Sequence, residues 1–297
     1  MSNSPLFRFG MASDVQYAGK TNIDSATLHL GPDFRLDKDI EVHSGDVCYY
    51  RDSLPKLEDV GDIIDGNLTV EATKRDLESV LERFERVQCP TLHHVIGNHC
   101  LQLPRDYLLS RLKIEKPYHS FLMQEGWRGV ILDGSDISLY GWKQDEENYR
   151  QAKEYLDTHD LSQYPSASSW NAGIGEVQKQ WLRDTLKKAK EDGERCIVFC
   201  HYPLLPEAAL PTHLLWNGQE IADILGDLNF ERTVVAYFCG HLHRGGYVLA
   251  GNRVHHYTVK GIVECPPGEN VGAIVEVHAD HLFVRGFGQV EDQRLDF

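Results

Sequence analysis

The chain has 297 residues, of which 41% are apolar and 25% are charged, enough to form a large buried core. No apolar stretch approaches the roughly 18 residues of a membrane-spanning helix, so we expect no membrane partner. The 45 acidic and 30 basic side chains give a net charge of −15, which argues against a nucleic acid bound along the surface.

The cysteines and the first residues indicate a reducing compartment. Seven cysteines are an odd number at irregular spacing, and three of them lie inside apolar runs, where a reduced thiol behaves as a small hydrophobe. The start, Met1 to Pro5, lacks the charged and apolar regions of a secretory signal. We therefore expect a cytoplasmic monomer, folded as one domain over residues 1–297.

Strands and helices alternate along most of the chain. The apolar runs that predict strands are, in order, Phe7 to Ser13, Thr91 to Ile96, Gly129 to Leu132, Cys196 to Cys200 and Val234 to Cys239. Apolar stripes at helical spacing run from Val70 to Val87 and from Val177 to Ala189. Two polar stretches, Gly19 to Tyr50 and Asp157 to Gly175, are predicted to be loops near a site.

The last quarter of the chain has a different pattern. Arg253 to Val259, Ala273 to Val277 and His281 to Phe287 are predicted strands, separated by turn residues and without a long helix. This pattern predicts a second sheet that is poor in helices.

Short motifs rich in metal-ligand atoms follow most of the early strands. They are Asp14-Val15-Gln16, Gly61-Asp62, Gly97-Asn98-His99, His201 and Gly240-His241-Leu242-His243. Open α/β sheets bind ligands at the carboxyl ends of their strands, and glycine lets the backbone turn or approach closely beside a ligand. Together the motifs supply oxygen and imidazole ligands for two divalent cations, the usual apparatus for hydrolysing phosphate esters and anhydrides.

Two Gly-Asp pairs compete for the second motif. Asp46 follows Ile40 to His43, a plausible alternating strand, whereas the strand before Asp62 would be short. Asp62, however, leads into the helix and strand that deliver Asn98, and these would form one compact βαβ unit. We favour Asp62 and keep Asp46 as the alternative.

In this order the motifs resemble those of the calcineurin-like metallophosphoesterases: Asp-x-His, Gly-Asp, Gly-Asn-His, His and Gly-His-x-His. Position 16 departs from that pattern, because Gln stands where His is usual. With Gln16, the chain is similar to the manganese-dependent ADP-ribose/CDP-alcohol diphosphatases within that superfamily. The segments that carry this likeness are Asp14 to Ala18, Gly61 to Gly66, His93 to His99 and Gly240 to Tyr247, with Tyr49 to Leu54, Leu215 to Asn217 and Gly261 to Glu264.

The resemblance implies an α/β fold, a four-layer α/β/β/α sandwich of two mixed β-sheets flanked by helices. It also implies two ligand sets that share Asp62 as a bridge: Asp14, Gln16, Asp62 and His243 for one ion, and Asp62, Asn98, His201 and His241 for the other. An amide oxygen from Gln16 is a harder ligand than an imidazole nitrogen, and hard ligands favour Mn²⁺. Zn²⁺, Fe and Mg²⁺ are the alternatives.

The activity implied by the resemblance is hydrolysis of the diphosphate bond in small nucleotide diphosphates such as ADP-ribose and CDP-choline. A metal-bridging hydroxide would attack phosphorus, releasing a nucleoside monophosphate and a phosphorylated fragment. His99 would protonate the leaving group or stabilise its charge. The alternatives are a phosphomonoesterase or cyclic-nucleotide phosphodiesterase with the same site, and a non-catalytic interaction scaffold of the same fold.

Candidate substrate contacts lie in loops near strand ends, where an aromatic slot would bind a nucleotide. They are Tyr17, Asn67, Tyr202, His213 and Trp216. Tyr49, Tyr50 and Trp170 are further aromatic candidates. Asn171, like Asn67, could donate to phosphate oxygens, although a plain turn explains either asparagine equally well.

Overall fold

The computed structural model describes residues 4–16, 56–59, 62–64, 69–84, 91–264 and 271–297. Its strands are β1 (Phe7–Ala12), β2 (Lys56–Asp59), β3 (Thr91–His94), β4 (His119–Gln124), β5 (Trp127–Ile131), β6 (Arg195–Phe199), β7 (Val234–Cys239), β8 (Gly246–Leu249), β9 (His255–Thr258), β10 (Val271–Val277), β11 (His281–Gly288) and β12 (Gln293–Asp296). Its helices are α1 (Val70–Phe84), α2 (Arg105–Arg111), α3 (Glu147–Thr158), α4 (Glu176–Glu191) and α5 (Gly218–Leu225). None of these helices is long and apolar enough to cross a membrane.

The strands form two mixed sheets of six. The first has the order β12-β11-β10-β1-β2-β3, in which β1, β2 and β3 are parallel and the other pairs are antiparallel. The second has the order β4-β5-β6-β7-β9-β8, with β5, β6, β7 and β9 parallel and an antiparallel strand at each edge. Each sheet therefore contains a group of adjacent parallel strands, and the carboxyl ends of the strands in a group lie along the same edge.

The two sheets pack face to face over an apolar core. Phe9 of β1 is fully buried and meets Phe199 of β6 and Phe238 of β7 edge to face, with ring centroids 5.8 Å and 6.2 Å apart. Such aromatic pairs add to the free energy gained by burying their apolar area.

Helices cover the outer face of each sheet. The helical stripes predicted from the sequence face inward: Leu77 and Val80 of α1 are buried beside the first sheet, and Leu182 and Leu186 of α4 beside the second. Val177, at the start of the second stripe, is instead 78% exposed. The α/β/β/α layering is confirmed.

The last quarter of the chain does not form a sheet of its own, so that prediction is wrong. Strands β8 and β9 extend the second sheet beyond β7, while β10, β11 and β12 extend the first sheet from the edge of β1 that β2 leaves open. The open edge of β1 presents unpaired N–H and C=O groups, and β10 satisfies them.

Candidate metal centre

The predicted ligands follow five parallel strands that end at one edge of the sandwich. Asp14 follows β1, Asp62 follows β2, Asn98 follows β3, His201 follows β6, and the pair His241 and His243 follows β7. Ligand atoms of Asp14, Asp62 and His201 lie within 4.8 Å of one another, and all three side chains are buried. The structure brings together all seven predicted ligands, as the following contacts show.

The second predicted ligand set surrounds the His201 imidazole. Its Nε2 atom lies 3.0 Å from Asn98 Oδ1, 3.1 Å from His241 Nδ1 and 3.2 Å from Asp62 Oδ2. All four side chains are at most 9% exposed. Four side-chain atoms of types that bind metal ions thus converge in one buried place.

The first predicted set lies beside it and shares Asp62. The Gln16 amide Nε2 is 2.9 Å from His243 Nε2, and the Gln16 backbone N–H donates to Asp62 O at 2.9 Å. The Asp14 carboxylate accepts from the backbone N–H groups of Asp62, at 3.4 Å, and His241, at 3.0 Å. Asp14 therefore ties the strand-end loops of both sheets together.

Three of the predicted ligands have strained backbones. Asp14, Gln16 and His241 have φ values of 50°, 45° and 67°, in the left-handed region that residues other than glycine rarely adopt. Backbone hydrogen bonds hold this geometry, among them Val263 N–H to Asp14 O at 3.0 Å. Such strain concentrates at functional sites, where the surrounding structure enforces it.

Two glycines allow the ligand residues to approach one another. A Cβ atom on Gly97 would lie 2.2 Å from Asp62 Oδ1, so only glycine fits there without displacing that carboxylate. A Cβ atom on Gly261 would lie 3.0 Å from the Cβ of His243 and 3.1 Å from the Cβ of Asp14. The Gly-Asn-His motif predicts a role for Gly97, whereas only the family resemblance points to Gly261.

Burial and charge set the protonation states of the buried ligands. Burial raises the pKa of Asp62, but the charge of His201 outweighs this effect and holds the pKa below its ordinary value. Burial and the neighbouring His201 hold the pKa of His241 well below its ordinary value. An ionised Asp62 and a neutral His241 are the forms that bind a cation.

The residues fit divalent metal ions. Asp62 Oδ2 is buried, and its nearest polar neighbour among the described residues is His201 Nε2, 3.2 Å away, which does not complete a well-formed hydrogen bond. Leaving a buried carboxylate oxygen without a partner is costly, and a cation would satisfy it. Oxygen and imidazole ligands at a shared carboxylate suit a pair of such ions.

Two further histidines lie at the accessible side of this cluster. Burial raises the pKa of Asp62, and the charge of the half-buried His99 lowers it, although His201 lowers it more. The ring of His213 is also half-buried, with its centroid 5.4 Å from that of His241. Burial, followed by His243 and Arg244, lowers the pKa of His213. Both rings are placed where a substrate could reach them.

The structure corrects two of the predicted substrate contacts. Tyr202 is fully buried, and its ring packs against the rings of His201 and His241, with centroids 4.8 Å away in each case. Trp216 is 9% exposed, stacks on Tyr155 and donates from Nε1 to Ser168 O. Tyr202 thus packs against two of the predicted ligands, and both aromatics are too deeply buried to bind a nucleotide.

Asn171 is also not a phosphate donor. Its side chain is fully buried, and both of its N–H groups are taken by backbone carbonyls. Tyr17, Asn67 and the rival Asp46 lie outside the described residues, as do Tyr49 and Tyr50. Trp170, next to Asn171, is 45% exposed and remains a candidate contact.

Comparison with known proteins gives concordant results. The calcineurin-like phosphoesterase family matches residues 8–245. A rice protein (Oryza sativa subsp. japonica) named manganese-dependent ADP-ribose/CDP-alcohol diphosphatase is 31% identical, over 100% of this chain and 96% of that protein. A human protein of the same name is 28% identical, over 100% and 94% respectively.

A solved structure is similar to this chain in both fold and sequence. The crystal structure of a dimetal phosphatase from Danio rerio has a TM-score of 0.87 and 28% identity, covering 99% of this chain and 100% of that chain. The family match, the full-length relatives and the convergence of the motif residues lead to one conclusion: this chain belongs to the calcineurin-like phosphoesterase family.

Proposed function

We propose that this enzyme hydrolyses the diphosphate bond of small nucleotide diphosphates, ADP-ribose and CDP-alcohols, and that it requires two Mn²⁺ ions. One observation carries the proposal: seven side chains from five separate stretches of the chain lie together where the strands of both sheets end, and their types suit two ligand sets that would share Asp62. The relatives that cover the full length of the chain are named for this activity and this metal.

The chain would bind the ions through the two sets described above. When bound, a pair of divalent cations supplies an acidified water as nucleophile and neutralises charge on the phosphoryl oxygens. Mn²⁺ is favoured because Gln16 offers an amide oxygen to the first ion, and this oxygen is a harder ligand than the imidazole nitrogen that is usual at this position. The backbone N–H of Cys100 donates to Asp62 Oδ1 at 3.0 Å and so orients the carboxylate that would serve both ions.

The half-buried His99 acts on the leaving group. The group expelled from a diphosphate is itself a phosphate, so a nearby imidazolium can stabilise its charge or donate a proton to its oxygen. The charge of His99 influences the pKa of both Asp62 and His201, which supports a role for its imidazole close to these proposed ligands. His213 lies at the rim and would contact the part of the substrate that does not react.

The enzyme is proposed to act as a cytoplasmic monomer on small molecules rather than on nucleic acid. Its net charge of −15 opposes binding of a polyanion. Four buried cysteines, Cys100, Cys196, Cys200 and Cys239, are free thiols, which suits a reducing compartment.

The experiment that tests this function is a substrate panel on protein stripped of metal with a chelator. ADP-ribose, CDP-choline, cyclic AMP and p-nitrophenyl phosphate are each assayed with Mn²⁺, Mg²⁺, Zn²⁺ or no metal. We expect kcat/KM to be highest for ADP-ribose or CDP-choline with Mn²⁺, and the control Asp62→Asn to be inactive with every metal. A preference for p-nitrophenyl phosphate or cyclic AMP would favour the alternative activities, and no turnover at all would favour a scaffold.

A further inference from the structure

Asn171 is a buried polar residue that the proposed chemistry does not use. It lies in the loop between α3 and α4, its side chain is fully buried, and its Oδ1 atom is 2.9 Å from His241 Nε2. His241 is one of the proposed ligands of the second ion. Asn171 therefore touches a ligand residue from the side opposite the metal site.

The orientation of the Asn171 amide is determined by its donors. Its Nδ2 group donates to Ser166 O and to Thr212 O, both at 2.8 Å. Turning the amide over would set Oδ1 against two carbonyl oxygens and leave all three acceptors without a proton, which is costly in a buried place. The oxygen of the amide must therefore face His241.

This orientation determines which nitrogen of His241 carries the proton. An amide oxygen can only accept a hydrogen bond, so His241 Nε2 must be the protonated nitrogen of the neutral ring. The lone pair is then on Nδ1, and Nδ1 is the atom that lies 3.1 Å from His201 Nε2 inside the ligand cluster. The ring is thus presented in the tautomer that a metal ion needs.

We propose that Asn171 is a positioning residue that locks His241 in the Nε2–H tautomer and so sets the affinity of the second metal ion. The inference rests on the proposed metal-dependent function. Through Thr212, the same amide links the loop that carries it to the short 3₁₀ helix Pro211–His213.

Mn²⁺ binding to the full chain tests the proposal without any substrate. Isothermal titration of chelator-stripped protein should show that Asn171→Leu binds one of its two ions roughly 10- to 100-fold more weakly, as is typical when the partner of a metal-bound histidine is removed. Asn171→Asp still offers an acceptor to His241 but loses the two N–H donors to Ser166 O and Thr212 O. It should therefore unfold at a lower temperature and, where folded, bind both ions within a few-fold of the unaltered protein.

Asn217→Leu is the matched control. The side chain of Asn217 accepts from the backbone N–H of Ile174 and donates to the backbone carbonyl of Ile174 and to Glu220. Ile174 lies three residues after Asn171 in the same loop. Losing the Asn217 side chain should disturb the loop without weakening Mn²⁺ binding. Equal weakening in Asn171→Leu and Asn217→Leu, or unchanged affinity in Asn171→Leu, would overturn the proposal.

A second measurement needs no variant. Nitrogen-15 NMR of the histidine rings in metal-free protein distinguishes Nδ1–H from Nε2–H imidazole, and we expect His241 to be the Nε2–H form. Detection of the Nδ1–H form would overturn the proposal even if Asn171→Leu failed to fold. If the unaltered protein binds no Mn²⁺, the proposed function fails, whereas the tautomer result still decides the role of Asn171.

Discussion

Asn98 and His99 are adjacent in sequence but have different surroundings. Asn98 is buried and lies 3.0 Å from His201 Nε2, whereas His99 is half-buried and can be reached from solvent. A buried side chain suits a metal ligand and an accessible one suits a group that meets substrate. The two residues therefore make separable contributions to activity.

We expect His99→Ala to lower kcat for ADP-ribose by roughly 10²-fold, the scale on which general acid catalysis contributes. Because the seven ligands are untouched, the Mn²⁺ content measured by plasma mass spectrometry should stay the same. Normal turnover with normal metal content would show that His99 has no part in the reaction.

At the residue scale, side-chain chemistry could be predicted from the sequence but side-chain burial could not. Metal ligands are recognisable because few residue types bind cations and because each follows a strand. Tyr202 and Trp216 were misassigned, since an aromatic ring in a loop can face either a substrate or the core. The role of Asn171 depends on carbonyl groups of the Ser166 and Thr212 backbone, which no residue pattern reveals.

The turn after β3 is the element on which Asp62 depends. Gly97 passes so close to that carboxylate that a methyl group would lie 2.2 Å from Asp62 Oδ1. Gly97→Ala should therefore push Asp62 out of the shared position and weaken Mn²⁺ binding by at least tenfold, measured by titration calorimetry.

Gly251→Ala is the control, because a Cβ atom there meets nothing within 4 Å. It should bind Mn²⁺ as the unaltered protein does. Unchanged affinity in Gly97→Ala would contradict the packing of Asp62 against this turn.

At the element scale, the strands before Asp14, Asn98, His201 and His241 were predicted to within about two residues, whereas the strand before Asp62 was expected only to be short. Strands β6 and β7 are almost entirely buried, so they appear in the sequence as nearly unbroken apolar runs. Helix α3 was missed because Ala152 is its only buried residue, which gives the sequence no apolar stripe. The pairing of the late strands was wrong, because alternation predicts a strand but does not indicate which sheet edge it joins.

For the whole molecule, a buried histidine links stability to pH. His256 on β9 is 1% exposed, and neither of its ring nitrogens has a hydrogen-bond partner among the described residues. Burial lowers its pKa to about 4. Because a histidine in the unfolded chain has a pKa near 6.5, the unfolded state binds a proton first as the pH falls.

His256 should therefore make the folded state less stable in acid. Between pH 8 and pH 4 its protonation in the unfolded chain should lower the free energy of unfolding by about 3 kcal/mol. In His256→Leu this part of the loss should disappear, as measured by urea denaturation at both pH values. An equal loss in both proteins would show that His256 titrates normally in the folded state.

The proposed function depends on two cations bound where the parallel strands of both sheets end. The most direct measurement is anomalous diffraction from crystals of the full chain grown with Mn²⁺. We expect two manganese peaks at the edge where β1, β2, β3, β6 and β7 end, with the Asp62 carboxylate between them. A single peak, or peaks away from Asp62 and His201, would contradict the account.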